Sequence, residues 1–287
     1  MTLECFDLEL LGGKTEQRYR AMRPDVEAFN WGSIDTSKFS PTLINAAKQA
    51  WSRAALQEYR TGAACCKTLQ VLIQARAPID LIALLSRFIT DEIVHSELCA
   101  RLANEFGSDI EIGYNPDELT DNIGEGCPPI LHAAHLVVAT FCIGEAMSIP
   151  LLHNTSKMST QPLIKQVLRR IVEDEADHGA FGWAYLDWAN HHLSDTDRAE
   201  LAITADRYIN GVYQTWKNIE KQKGTTAEQA HALGWLEVSE YLSIARRTLK
   251  KQVIAPLILR GVFVKATEQN STKGEQTSPN SPRVMPE

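Results

Sequence analysis

The sequence predicts an all-α fold: four helices packed into one bundle, with further helices after residue 192. Apolar residues recur in alternating steps of three and four along four separate segments, which is the seam a helix buries in a bundle core. Glycine and proline fall between those segments rather than within them, with few exceptions. Strand-period alternation and fixed repeats are both lacking.

Residues 1–40 are expected to be irregular, because Gly12-Gly13, Pro24 and Gly32 interrupt any periodicity. Ser40-Pro41 then supplies an N-cap followed by proline at the first helical position. The first helix runs to about Ala75, with Gly62 its one interior breaker. Pro78 separates it from a second helix that runs to about Phe106. Residues 108–129 form a loop rich in turn formers, among them Gly113, Asn115-Pro116, Gly124, Gly126 and Pro128-Pro129. A third helix spans Pro129 to His153, Asn154–Ser159 makes a turn, and Thr160 opens a fourth helix ending near His192. Residues 41–192 thus form the four-helix unit. Residues 193–265 add helical segments over 196–222 and 226–260, with Gly224 between them. Residues 266–287, rich in Ser, Thr, Gln, Asn and Pro, are expected to be disordered. Short connections make helices one and two, and three and four, antiparallel hairpins. The long loop 108–129 is sufficient for a crossover between the hairpins, which simple up-down bundles do without.

The 287 residues are 44% hydrophobic and 23% charged, with a net charge of −7 spread along the chain. That balance argues against nucleic acid, which selects a basic face, and against an anionic membrane surface. No apolar run is expected to reach the roughly 18 residues needed to span a bilayer. The start, Met1 to Glu9, lacks the basic region of a secretory signal. A cytoplasmic location is the resulting expectation. None of the six cysteines forms a C-x-x-C pair, so no zinc ribbon or rubredoxin-type iron centre is encoded. Cys65, Cys99 and Cys142 fall on helix stripes, as small buried hydrophobes do.

Each seam is broken near its middle by a glutamate. Helix one gives Trp51, Ala55, Glu58, Gly62, Cys65; helix two gives Leu85, Phe88, Glu92, His95, Cys99. Helix three gives Val138, Phe141, Glu145, Ser148, Leu152; helix four gives Leu168, Ile171, Glu175, His178, Gly182. Glu145 is the one charged residue between Val137 and Leu152. Buried ionised carboxylates cost several kcal/mol each unless paired, and four at one level also repel. Two cations remove both costs. A histidine three residues after a glutamate shares its helix face, so both can reach one ion. Carboxylate with imidazole suits iron or manganese. A similar-looking Glu228-x-x-His231 is explained by a capping box at Thr225-x-x-Glu228.

With Glu58 ahead of Asp91-Glu92-Ile93-Val94-His95 and Glu145 ahead of Asp174-Glu175-Ala176-Asp177-His178, the sequence resembles the ferritin-like diiron carboxylate superfamily. The resemblance covers residues 41–192 and implies a ferritin-like four-helix bundle. It implies that Glu58, Glu92 and His95 hold one iron and Glu145, Glu175 and His178 the other, with one glutamate of each Glu-x-x-His pair bridging. Manganese or a mixed centre uses the same ligands. Asp91 and Asp174 match aspartates that hydrogen-bond the ligand histidines in several members. Val94 and Asp177 stand where multicomponent monooxygenases commonly carry arginine, and Ile171 where arylamine N-oxygenases carry an extra histidine. The rubrerythrin cysteine-iron domain is absent.

The resemblance implies an O2-activating oxidoreductase of monooxygenase type acting on a small organic substrate, with electrons from a separate reductase or ferredoxin. Iron or peroxide handling at the centre itself, and a non-catalytic binding module stabilised by metal, are the alternatives. Ala55, Gly62, Ser148 and Gly182 leave room beside the ligands, either for a cavity or for close helix approach. Pro150 predicts a kink or bulge near Glu145. His132 and His135 are expected to serve packing or the surface. The aromatic segments after residue 193 could cap the site or form a homodimer interface.

Overall fold

The computed structural model describes residues 3–107, 112–119, 122–221 and 225–268, and their secondary structure is overwhelmingly helical. The expectation of disorder over 266–287 falls almost wholly outside them. Within them, Glu268 instead accepts from Arg246 at 2.7 Å.

The N-terminal segment is not irregular. Strand β1 (Glu4–Phe6), helix α1 (Gly13–Ala21) and the single turn α2 (Pro24–Glu27) precede the first long helix. The residues that break the periodicity are starting helices: Gly12 caps α1 at φ 83°, and Pro24 occupies the first turn of α2. The first long helix, α3 (Pro41–Gln74), begins where Ser40 and Pro41 place it, with the Ser40 hydroxyl accepting from Leu43 N at 3.3 Å. Helix α4 (Ile79–Glu105) follows. Arg23, 1% exposed, fastens the N-terminal segment to α4 by donating to Glu97 at 2.6 Å, and Tyr19 Oη donates to the same carboxylate at 2.7 Å. Strand β2 (Ile112–Tyr114) in the long loop pairs antiparallel with β1, Glu4 opposite Tyr114. Three-residue strands are too short to announce themselves by alternation.

The third long helix is continuous from Pro129 to Met158 but not uniform. It comprises α5 (Pro129–Val137), a π-helical stretch (Val138–Glu145) and α6 (Ala146–Met158). The irregularity expected near Glu145 therefore lies before it, not at Pro150, which sits inside α6. The turn expected at Asn154–Ser159 is mostly helix. Asn154 Nδ2 donates to Pro150 O at 2.7 Å and Thr155 Oγ1 to Leu151 O at 2.8 Å, so turn-forming side chains bond back to the helix here. Helix α7 (Pro162–Ala189) is capped by the Gln161 side chain, which accepts from Ile164 N at 2.9 Å.

Helix α8 (Asp195–Lys221) matches its expected span, whereas the segment 226–260 is divided. It comprises α9 (Ala227–Leu233), α10 (Val238–Thr248), a second π-helical stretch (Leu249–Ile254) and α11 (Ala255–Leu259). Gly234, left-handed at φ 90°, ends α9. It also lies against Trp51, whose Nε1 donates to Leu233 O at 3.1 Å.

Helix α3 lies along α4 and α6 along α7, while α4 and α5 both pack on α7. Among the described residues the core is two apolar clusters rather than one. Phe88, Phe141, Cys142, Phe181 and Tyr185 belong to one; Trp51, Ala55, Leu98, Leu168 and Ile171 belong to the other. Along α4 and α7 the glutamates and histidines fall between the two. The helix Pro129–Met158 is long and apolar enough to cross a bilayer, contrary to the expectation from the sequence. Its most apolar window is 78% buried inside the fold, so its apolarity serves the core.

Gly182 lets α7 approach the π-helical stretch. A Cβ there would lie 2.8 Å from both Cys142 Sγ and Phe141 Cβ, and 3.1 Å from Cys142 N. We expect Gly182→Ala to destabilise the protein by about 1–3 kcal/mol, measured by urea denaturation. An unchanged midpoint would show that the approach is loose.

Candidate metal centre

Six side chains from four helices meet at the level that separates the two clusters. Glu58 comes from α3, Glu92 and His95 from α4, Glu145 from the last residue of the π-helical stretch, and Glu175 and His178 from α7. None is more than 5% exposed. Donor atoms of Glu58, Glu92, His95 and Glu175 lie within 4.8 Å of one another, and so do those of Glu145, Glu175 and His178. All six residues singled out by the sequence are thus brought together. Glu175 belongs to both groups. Glu92 reaches the second as well, with Oε1 3.1 Å from His178 Nδ1.

The two imidazoles are oriented alike. His95 Nδ1 faces Glu175 Oε1 at 3.6 Å and Glu92 Oε2 at 4.0 Å. His178 Nδ1 faces Glu175 Oε2 at 3.0 Å and Glu92 Oε1 at 3.1 Å. The outer nitrogens turn to the two aspartates, but crosswise. Asp174 of α7 meets His95 Nε2 of α4 at 3.1 Å, and Asp91 of α4 lies 3.6 Å from His178 Nε2 of α7. An aspartate that accepts Nε2–H fixes the tautomer with the Nδ1 lone pair aimed at carboxylates. Lone pair facing carboxylate is repulsive unless a proton or a cation lies between them.

The electrostatics make the same demand. Burial, then the Glu175 charge, pushes the Glu92 carboxyl well above the usual range. Burial alone would lower His178, but the Asp91, Glu175 and Glu92 carboxylates around its ring outweigh it and push its pKa up to about 12. Both Glu92 oxygens and His178 Nδ1 are buried without a hydrogen-bond partner among the described residues. Buried polar atoms seldom go unsatisfied. Two cations shared through Glu175 would satisfy them, so the donor set fits a two-metal site.

Several supporting residues carry signals of their own in the sequence. Arg170 pairs with Asp174 and, at 2.7 Å, with Asp25; Arg87 lies 3.5 Å from Asp91. Each arginine precedes its aspartate by four residues, so the repeated unit is Arg-x-x-x-Asp-Glu-x-x-His in both helices. Ser148 Oγ donates to Glu145 Oε2 at 3.0 Å. Phe88 stands against His178 with ring centroids 4.0 Å apart, backed by Phe141 and Phe181. Asp177 is exposed and 3.5 Å from Arg87, Val94 is buried, and Ile171 belongs to the core.

The small residues mark close helix approach. Gly182 does so against Cys142, and a Cβ on Gly62 would touch Glu92 Cβ at 3.4 Å. A cavity of about 670 Å³ lies elsewhere, between α6, α7 and the second π-helical stretch. Its walls include Val172 and Ala176, which follow the inward Ile171 and Glu175 on α7. The Glu228-x-x-His231 motif joins no group of metal donors among the described residues. His231 Nε2 is 2.9 Å from Glu240 Oε2, although the capping box is Thr226 with Gln229, one residue later than expected.

We expect Glu92→Gln to stabilise the metal-free protein at pH 8, where the native carboxyl cannot ionise without penalty. The raised native pKa means that stability is lost as pH climbs above the ordinary carboxylate range. The gain over wild type should therefore vanish near pH 4, where both side chains are neutral. Denaturant midpoints at the two pH values measure it, and a variant less stable at pH 8 would refute the burial penalty.

No family model, curated protein or solved structure matches the chain, so the donor geometry itself carries the functional reading.

Proposed function

We propose that the four long helices form a ferritin-like bundle holding two metal ions, iron in the first instance, and that the protein is an O2-activating oxidoreductase. The observation that carries this reading is one carboxylate, Glu175, shared between two donor groups, with both histidines turned inward by aspartates on the opposite helix. Glu58, Glu92 and His95 would hold one ion and Glu145 and His178 the other, with Glu175 between them. When bound and reduced, such a pair supplies the electrons for O2 reduction, and manganese or a mixed pair fits the same donors.

The chain's own part is positioning and exclusion of water. Asp174 would keep the His95 imidazole ready to bind metal through Nδ1, Asp91 is placed 3.6 Å from His178 Nε2 to do the same, and Arg87 and Arg170 hold those aspartates in turn. Ser148 orients Glu145. Phe88, Phe141 and Phe181 wall the His178 side with apolar surface, which lowers the local dielectric and restricts solvent. A small organic substrate and an external reductase or ferredoxin complete the reading.

A second reading, iron or peroxide handling at the centre itself, is favoured by the close approaches at Gly62 and Gly182. They occupy space beside the ligands that an organic substrate would need.

Three results are expected. The anaerobically reduced, iron-loaded protein should consume O2 faster than free Fe(II); an equal rate in stopped-flow measurements would sink the oxidoreductase reading. Glu175→Ala should lose both metals whereas Glu145→Ala loses one, by elemental analysis of folded protein. Asp174→Asn should weaken metal binding roughly 10- to 100-fold without loss of helicity, as metal titration followed with circular dichroism would show.

A further inference from the structure

A second group of metal donors lies away from the centre. A sulfur, a ring nitrogen and a carboxylate oxygen from Cys127, His135 and Glu200 lie within 4.8 Å of one another. They come from three separate parts of the chain. Cys127 closes the turn at the end of the long loop, His135 is on α5 and Glu200 is on α8. We propose that Cys127, His135 and Glu200 form a binding site for one zinc-class divalent cation.

The donor types select that class. Thiolate, imidazole and carboxylate are the three zinc ligands of proteins, and three protein ligands leave a fourth position for water or an exogenous group. The thiolate also distinguishes this site from the oxygen-and-imidazole centre between the helices. His135 is positioned for the task. It is 6% exposed, and its Nδ1 lies 2.8 Å from Thr204 Oγ1. A hydroxyl accepting Nδ1–H leaves Nε2 with its lone pair free to bind metal.

The backbone around Cys127 is shaped to the same end. Gly124 is left-handed at φ 73°, and a Cβ there would fall 2.9 Å from His135 Cδ2 and 3.2 Å from the His132 Cα. Only glycine lets the turn settle over these histidines. Cys127 N then donates to Gly124 O at 3.1 Å, which holds the thiol at the end of the turn. Asp197, one turn before Glu200 on α8, adds negative charge that acts on both Cys127 and His135. It also borders a cavity of about 330 Å³ that reaches Pro128, the neighbour of Cys127. Glu200 is exposed, so an ion can enter from solvent. A bound ion would tie the long loop to α5 and α8. The expectation that His135 serves packing or the surface does not account for this grouping.

The site stands apart from the oxidoreductase reading, and the test separates the two. Chelator-treated full-length protein is titrated with Co(II), whose thiolate complexes absorb in the near ultraviolet. Wild type should develop that absorption, and zinc should abolish it. Cys127→Ser and His135→Gln should lack it, and Glu200→Gln should weaken binding on the order of tenfold. Glu175→Ala should retain it although the other centre is lost, and Cys65→Ser should retain it because Cys65 lies beside that other centre. In parallel, zinc should raise the melting temperature of wild type but not of His135→Gln. Absence of the absorption at saturating Co(II), its persistence in Cys127→Ser, or its loss in Cys65→Ser would overturn the proposal.

Discussion

Four carboxylates buried at one level, between two apolar clusters, set the terms for the rest of the molecule. Glu58, Glu92 and Glu175 are at most 1% exposed and Glu145 is 5% exposed, in a core otherwise largely apolar. Such a layer repels itself and loses its hydration, so the fold must supply positive charge at that level. His178 supplies part of it, and the inward Nδ1 atoms of both histidines mark where more is wanted.

From the centre outward, the signs of charge alternate. Carboxylates face imidazoles, imidazoles face Asp91 and Asp174, and those aspartates face Arg87 and Arg170. Arg170 reaches further, to Asp25 of α2, so the N-terminal segment joins the same chain of contacts. Around this polar file the packing is close. The π-helical stretch ends on Glu145, Gly182 brings α7 against it, and Phe88 lies on His178. π-Helical turns are rare and cluster at functional sites, which suits one that delivers a buried carboxylate.

The parts of this arrangement that a sequence can carry are those that repeat along one helix. Seams in steps of three and four, the Ser40-Pro41 start and the doubled Glu-x-x-His were all legible, and they placed the four long helices and the six residues. Which helix an aspartate serves was not, because Asp174 and His95 are 79 positions apart and no periodicity links them. The π-helical stretch was also hidden, since the step of four from Phe141 to Glu145 suits α and π geometry alike. Gly12, Pro24 and Gly234 misled in a consistent way. Each breaks a helical periodicity, and each starts or ends a helix. Cys127, His135 and Glu200 carry no mutual spacing signal at all, because a turn and two helices bring them together.

The exchange of aspartates between α4 and α7 makes the two halves of the molecule hostage to each other. His95 belongs to the first hairpin but takes its orientation from the second, and His178 the reverse. Neither hairpin alone completes the file of carboxylates, imidazoles and aspartates. Assembly of the halves and preparation of the histidines are therefore one event, and a chain caught with its hairpins undocked would present only loosely held carboxylates to any passing cation.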